Sequence, residues 1–305
     1  MENFITAETI KSVLNYDSLI QVMEQALTKF SSRNVVQPVR SVVPVAKEGG
    51  FLGLMPSLCE DEGNLGVKLV TFYPHNMERH GVQTHNAVII LFETRTGVPK
   101  AIMDGEVITA MRTAAVSAVA TKYLAPEGTT KLAILGSGVQ ARSHFQALST
   151  VCKFTQVTVW SRTYSSAEKC AADIGGVACR TAEEAVKDAD VIVTVTASTT
   201  PILEKSWVKS NAHVNAVGAC RPDWAEISPD LMRSSILYVD SKEGALKESG
   251  DVIMSKAEIY GELGEMILGQ KEAQRNKLTV FKSLGMAIED TMAGQLVLDT
   301  LAGKT

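Results

Sequence analysis

From Thr130 onward, short apolar runs alternate with stretches of helical composition: KLAILG, VTVWSR, ADVIVTVT, HVNAVGA and SILYVDS are each set apart by such segments. That rhythm predicts parallel strands joined by crossover helices, an α/β doubly wound sheet of Rossmann type. The punctuation agrees. Thr181-Ala-Glu-Glu184 reads as a capping box opening TAEEAVKDA. Ser228-Pro229 reads as a cap followed by a proline at the first helical position. Gly175-Gly176 stops the helix that SAEKCAADI begins.

The chain before Thr130 follows another pattern. Two helical stretches, AETIKSVL and DSLIQVMEQALTKF, precede the strand-like runs QPVRSVVPV, GFLGLM, GVKLVTFY and NAVIILFE, then a turn, TRTGVPKAIMDG. A long helical pattern from Glu106 to Ala125 leads into the first Rossmann strand, and after TVFKSLG the chain ends in a helix, MAIEDTMAGQLVLDTL. The expected layout is a smaller, discontinuous α+β domain over 1–112 with 286–305 and a Rossmann domain over 113–285.

Composition narrows the function classes. With 305 residues, 45% of them hydrophobic, the chain buries a substantial core. Net charge is -4 and Lys and Arg are scattered, so no basic stripe marks a nucleic-acid partner. The five cysteines (Cys59, Cys152, Cys170, Cys179, Cys220) form no metal-ligand spacing and read as reduced thiols. The opening MENFITAETI has no basic or apolar leader, and no apolar run approaches a ~20-residue membrane span. A cytoplasmic protein with no membrane partner is the expectation.

Gly136-Ser137-Gly138-Val139-Gln140-Ala141 is G-x-G-x-x-A after a strand and before a helix. In that setting the first glycine makes the tight turn, the second admits a pyrophosphate to the backbone, and the small Ala141 lets the helix pack closely. The pyrophosphate would rest on the N-terminus of VQARSHFQAL, at Val139 and Gln140. An acid about 20 residues past the glycines would bind a ribose 2′-OH and repel a 2′-phosphate. This chain has Ser161-Arg162-Thr163 there. Two hydroxyls and a guanidinium favour NADP over NAD, unless Arg162 is an ordinary solvated side chain.

Three other charges stand out. Arg40 lies in the apolar run QPVRS, Arg112 interrupts a small-residue helix in TAMRTAA, and Lys68 is flanked by apolar residues in GVKLVTF. Each arginine offers a fork that matches a carboxylate, or else serves the surface. Lys68 either snorkels to solvent or, if enclosed, has a depressed pKa suited to moving a proton.

Several stretches together carry a family resemblance: QPVRSVVPV, GVKLVTFY, AIMDGEVITAMRTAAVSAVATKYL, GSGVQA, AVGACRPDW, YVDSKEGALKESGD and TVFKSLGMAIEDTMA. Nearly end to end the chain resembles the mu-crystallin group of NADP-dependent ketimine reductases, which also bind thyroid hormone. More distantly it is similar to ornithine cyclodeaminases and to bacterial and archaeal alanine dehydrogenases of the same superfamily. The resemblance implies a homodimer, each subunit pairing an NADP-binding Rossmann domain with a substrate-binding and dimerisation domain, the substrate lying between them. It implies NADPH-dependent reduction of cyclic ketimines such as Δ1-piperideine-2-carboxylate, with thyroid hormone competing at the same site.

Such a substrate is a carboxylate beside a C=N bond, and its protonated form is the better hydride acceptor. The resemblance places Arg40 and Arg112 on the carboxylate and Lys68 as proton donor. Glu248 in ALKESGD either orients a water or the protonated imine, or is an exposed helix glutamate; Arg221 either contacts a ligand carboxylate or faces solvent. On the cofactor side the resemblance adds His85, which reads equally as a structural histidine, and Thr84, Thr196 and Ser283 are further candidates beside Gly136, Gly138, Val139, Gln140, Ser161, Arg162 and Thr163. Ser283 reads equally as a cap of the last helix. Cyclodeaminases carry an aspartate where this chain has Cys220, so the amine-handling group of those enzymes is missing. The rival readings are a thyroid-hormone carrier or lens protein with little turnover, and an amino-acid dehydrogenase, which the missing aspartate disfavours.

Overall fold

The computed structural model describes residues 4–304. In chain order its elements begin β1 (Phe4–Ile5), α1 (Ala7–Val13), α2 (Tyr16–Ser31), β2 (Ser41–Val45), β3 (Gly50–Cys59), β4 (Asn64–Phe72), α3 (Asn76–His80), β5 (His85–Phe92), β6 (Pro99–Asp104) and α4 (Gly105–Leu124). They continue β7 (Lys131–Leu135), α5 (Val139–Val151), β8 (Gln156–Trp160), α6 (Tyr164–Ile174), β9 (Val177–Ala178), α7 (Ala182–Val186), β10 (Val191–Thr194) and β11 (His213–Ala216). The rest are α8 (Pro229–Ser234), β12 (Ile236–Val239), α9 (Lys242–Glu248), α10 (Gly250–Ser255), β13 (Ile259–Glu262), α11 (Leu263–Ile267), β14 (Thr279–Lys282) and α12 (Ala287–Leu301). The chain forms two compact units, 1–112 with 286–305 and 113–285.

The first unit is a six-stranded sheet in the order β1-β6-β5-β4-β3-β2, antiparallel except where β1 joins β6. Along β4 the even-numbered residues Asn64, Gly66, Lys68 and Val70 are buried while their neighbours are partly exposed, the period-two signature of a sheet with one covered face. Helix α12 covers that face. Asn64 Nδ2 donates to the Thr291 carbonyl at 3.0 Å, and the Ser57 and Thr291 hydroxyls meet at 2.8 Å. A Cβ on Gly66 would lie 2.8 Å from Thr291 Cγ2, so the glycine sets how closely the helix approaches.

The second unit is an eight-stranded parallel sheet, β13-β12-β14-β11-β10-β7-β8-β9. The order reverses at β7, which has β8 on one side and β10 on the other, so this is the Rossmann-type doubly wound sheet the alternation predicts. Its core divides between a cluster around Leu135, Val214 and Val280 and another around Ile134, Val159 and Val193. Gly175 ends α6 at φ 68°, in the left-handed region where glycine is favoured.

Four local expectations are corrected. The run read as a turn, TRTGVPKAIMDG, contains strand β6, whose alternation is cut short by Pro99. QPVRSVVPV is strand only from Ser41, with an isolated bridge at Val36. In the Thr181 box, the hydroxyl accepts from Glu184 N, but the Glu184 carboxylate reaches Arg180 N instead of closing on Thr181. Ser283 follows β14 and does not cap α12, whose N-cap is Met286. Among the described residues no helix is long and apolar enough to cross a membrane, and no group of His, Cys, Asp or Glu is placed to hold a metal ion.

Candidate active site

Two segments distant in sequence meet at Lys68 and Arg112. The Asp104 carboxylate accepts from Glu106 N and Val107 N at 3.0 and 3.1 Å, starting α4 and placing Arg112 about two turns along it. Glu289 and Asp290 occupy the first turn of α12, where carboxylates suit the positive end of the helix dipole. Gln37 Oε1 accepts from Ile288 N at 2.8 Å and Glu289 Oε2 from Met286 N at 3.1 Å, satisfying donors that the helix start leaves over.

From these positions four charges interlock. Asp290 pairs through Oδ2 with Lys68 Nζ at 2.6 Å and accepts from Arg112 Nε on Oδ1 at 2.8 Å; Arg112 Nη1 donates to Glu289 Oε2 at 2.8 Å. Lys68 is 2% and Arg112 4% exposed, and both carboxylates are fully buried. Lys68 therefore does not snorkel. Burial pushes its pKa down from 10.5 to about 8; Asp290 pulls it up, and Arg112 and the nearby Arg40 push it down. Burial alone would raise the Asp290 carboxyl, but Arg112 and Lys68 outweigh it and hold the group below the ordinary range. His85 is pushed down to about 4 by burial and by the Lys68 and Arg112 charges, so at neutral pH it is an uncharged imidazole. Arg40 is half-buried at the entry to β2, and the Thr84 carbonyl accepts from Tyr73 N at 2.8 Å, just before β5.

Lys68, Arg112, Arg40 and His85 are thus one electrostatic group. Chemically the group holds a cation of near-neutral pKa beside an anion, with further positive charge available to a carboxylate. One expectation changes in detail: two of the three Arg112 guanidinium nitrogens are committed to Glu289 and Asp290. Sequence reasoning missed these two acids. The available signal was a Glu-Asp pair in an otherwise apolar helix.

In the second unit, the turn after β7 has the features a pyrophosphate requires. Gly136 has φ 132°, and a Cβ there would lie 2.7 Å from the Val195 carbonyl; above Gly138 a Cβ would meet open space. No side chain caps α5, which begins at Val139 and Gln140. Ser137 Oγ donates to Ser161 Oγ at 3.0 Å, and Arg142 Nη1 donates to the Ser137 carbonyl at 2.8 Å while its Nη2 pairs with Asp173 on α6 at 2.5 Å. The glycine turn is so tied to the end of β8. There Arg162 and Thr163 are exposed, and Arg180, unnoticed in the sequence, stacks over the neighbouring Tyr164 ring at 4.4 Å. Ser283 is buried with its Oγ lacking a hydrogen-bond partner, an orphaned polar atom after β14. The turn and this donor set fit a dinucleotide.

Thr196 follows β10 and gives its hydroxyl to Glu226. Arg221 donates to Asp223 at 3.2 Å and lies over Trp224; its carbonyl accepts from Gly250 N, which brings it toward the end of α9, where Glu248 is half-buried. Cys220 packs, partly buried, against the larger core cluster.

Comparison with known proteins fits this geometry. The profile of the ornithine cyclodeaminase/mu-crystallin family matches residues 1–305. The chain is 52% identical over 303 residues to the ketimine reductase mu-crystallin of Mus musculus, covering 97% of this chain and 96% of that one. Among solved structures it superposes on the Delta(1)-pyrroline-2-carboxylate reductase of Thermococcus litoralis, in complex with NADH and L-proline, with a TM-score of 0.94 and 33% identity over 99% of this chain and 98% of that one. An archaeal alanine dehydrogenase dimer with bound NAD gives a TM-score of 0.92 at 29% identity, over 99% and 96% of the two chains.

The buried pairing makes a direct prediction. In the NMR titration of isotope-labelled lysines, the Lys68 side-chain signal should move with a midpoint near pH 8, well below the ordinary lysine value of 10.5. A Lys68 signal that titrates with the surface lysines would refute the assignment.

Proposed function

The chain belongs to the ornithine cyclodeaminase/mu-crystallin family, and on that premise we propose that it reduces the C=N bond of cyclic ketimines, such as Δ1-piperideine-2-carboxylate, to cyclic imino acids with NADPH. The observation that carries this reading is the buried Lys68–Asp290 pair, in a chain half identical to a ketimine reductase. The unit formed by 1–112 and 286–305 is the substrate-binding and dimerisation domain, and 113–285 is the NADP-binding domain.

NADPH, held by its pyrophosphate on the glycine turn, would supply the hydride for the imine carbon. The chain's own residues prepare the substrate. Arg40 and Arg112 hold the carboxylate, the second kept in place by its two acids. Lys68 moves a proton from Nζ to the imine nitrogen; with a pKa of about 8 it is charged at neutral pH yet releases the proton readily. Asp290 keeps the lysine protonated and in place, and the uncharged His85 contributes hydrogen bonding. Glu248 and Arg221 serve as further polar contacts for substrate.

Ser161, Arg162 and Thr163 support NADP over NAD, with the guanidinium meeting a 2′-phosphate. Gly136, Gly138, Val139 and Gln140 take the pyrophosphate; Thr196 and Ser283 in the second unit, and Thr84 and His85 in the first, are further cofactor residues. A thyroid hormone carries the same carboxylate as a ketimine acid, which supports its binding at the arginine end and its competition with substrate. The reading as a carrier or lens protein with little turnover is weakened by the ionic cluster, since burying four charges destabilises a fold that has no use for them. Edge strand β2 exposes Val42 and Val43 by 51% and 52%, supporting a homodimer, and five free cysteines support a reducing, cytoplasmic setting.

Purified protein should oxidise NADPH in the presence of Δ1-piperideine-2-carboxylate and not without it; tight NADPH binding with no turnover would shift the reading to a binding protein. Arg162→Ala should weaken NADPH by about tenfold or more, the loss of one charge-assisted contact, and leave NADH nearly unchanged. Equal loss for both cofactors would exclude the 2′-phosphate role.

A further inference from the structure

Glu226 lies between α8 and the loop that follows β11, fully buried, and is used by none of the chemistry above. Its two carboxylate oxygens divide their partners between two loops. Oε1 accepts from Thr196 N at 2.6 Å and from Thr196 Oγ1 at 2.7 Å, both in the loop that leaves β10. Oε2 accepts from Gly218 N at 2.7 Å and Ala219 N at 3.2 Å, in the loop that leaves β11, and from Thr194 Oγ1 at 2.8 Å. Three of these five donors are backbone N–H groups, which only an acceptor satisfies.

The loops are also keyed to one another. A Cβ on Gly218 would stand 2.0 Å from the Thr196 carbonyl and 2.6 Å from Glu226 Oε1, so no other residue fits there without displacing both. The glutamate itself is anchored. Asp251 Oδ1 accepts from Glu226 N and Ile227 N at 2.8 and 3.1 Å, and Asp251 Oδ2 pairs with Lys282 Nζ at 3.2 Å, at the end of β14. Burial, with Asp251 nearby, holds the Glu226 carboxyl above the ordinary carboxylate range, although Lys282 and the hydrogen bonds from Thr196 pull the other way.

In a doubly wound sheet the dinucleotide lies across the carboxyl ends of the strands at the order reversal, one mononucleotide on each half. Here β7, β8 and β9 carry the glycine turn and Ser161 to Thr163. The loops leaving β10 and β11 therefore belong to the nicotinamide half. We propose that Glu226 is a positioning residue for the nicotinamide half of the cofactor: one carboxylate fixes the backbone of both loops that form the floor for that ring. This rests on the dinucleotide reading of the second unit, and does not depend on what the enzyme reduces.

The test compares whole cofactor with its adenosine end. Dissociation constants for NADPH and for 2′,5′-ADP are measured by calorimetry on wild type and Glu226→Gln, where an amide N–H₂ would confront donors on one loop. The expected result is NADPH weakened by about tenfold or more with 2′,5′-ADP within about twofold of wild type, accompanied by faster amide hydrogen exchange at Thr196, Gly218 and Ala219. Equal weakening of both ligands, or of neither, would overturn the assignment. Should Glu226→Gln not fold, Glu226→Asp, which keeps the charge but falls short of one loop, is expected to show the same split. Wild-type protein that binds neither ligand would overturn the dinucleotide reading and this assignment with it.

Discussion

An ammonium group buried as deeply as Lys68 is tolerable only beside an anion, because desolvation costs several kcal/mol per ion and an unpaired charge is not compensated. The sheet provides no such anion. Asp290 does, and it stands 178 residues beyond Arg112, the other cation it binds. The last helix must therefore return to the first sheet for the charges to balance. Gly66, Asn64 and Ser57 are shaped to receive it. Two cations and two anions then cancel in a region closed to water, and removing one member would cost roughly 3–5 kcal/mol. Such an arrangement is poor as a source of stability, and what it encloses is a lysine whose pKa is lowered to about 8.

The second unit uses buried carboxylates differently. Glu226 and Asp251 accept backbone N–H groups from loops beyond the strand ladders, Gly218 N sharing its hydrogen with the Thr194 carbonyl. In the first unit a carboxylate sets the charge of a side chain. In the second it sets the course of the main chain, and a single lysine, Lys282, balances part of the charge.

What the sequence discloses follows from how local each feature is. The glycine turn, the helix after it and Ser161 to Thr163 fall within one strand–helix–strand unit, so spacing alone locates them. Lys68 and Arg112 stand out because each is a charge in an apolar setting. Their partners do not: Glu289 and Asp290 sit in a first helical turn, where acids commonly serve the dipole, and only tertiary contact assigns them otherwise. Glu226 lies in DWAEIS, which has no helical or strand periodicity, and its partners are mostly backbone. Strand β6 was obscured by Gly97 and Pro99, which mark a turn but stand at its start. In sequence Ser283 reads equally as a cofactor contact and as a helix cap, because a small-residue segment separates β14 from α12 and the register of that segment has no signature in composition.

If Asp290 tunes Lys68 as the proton donor, the pH dependence of kcat for NADPH-driven ketimine reduction must respond to Asp290→Asn. In wild type the rate should fall as pH rises through about 8, where Lys68 loses its proton. Removing the neighbouring anion favours the neutral amine, so the same fall should occur at lower pH in Asp290→Asn. An alkaline limb that stays where it was would mean that Asp290 does not set the Lys68 proton.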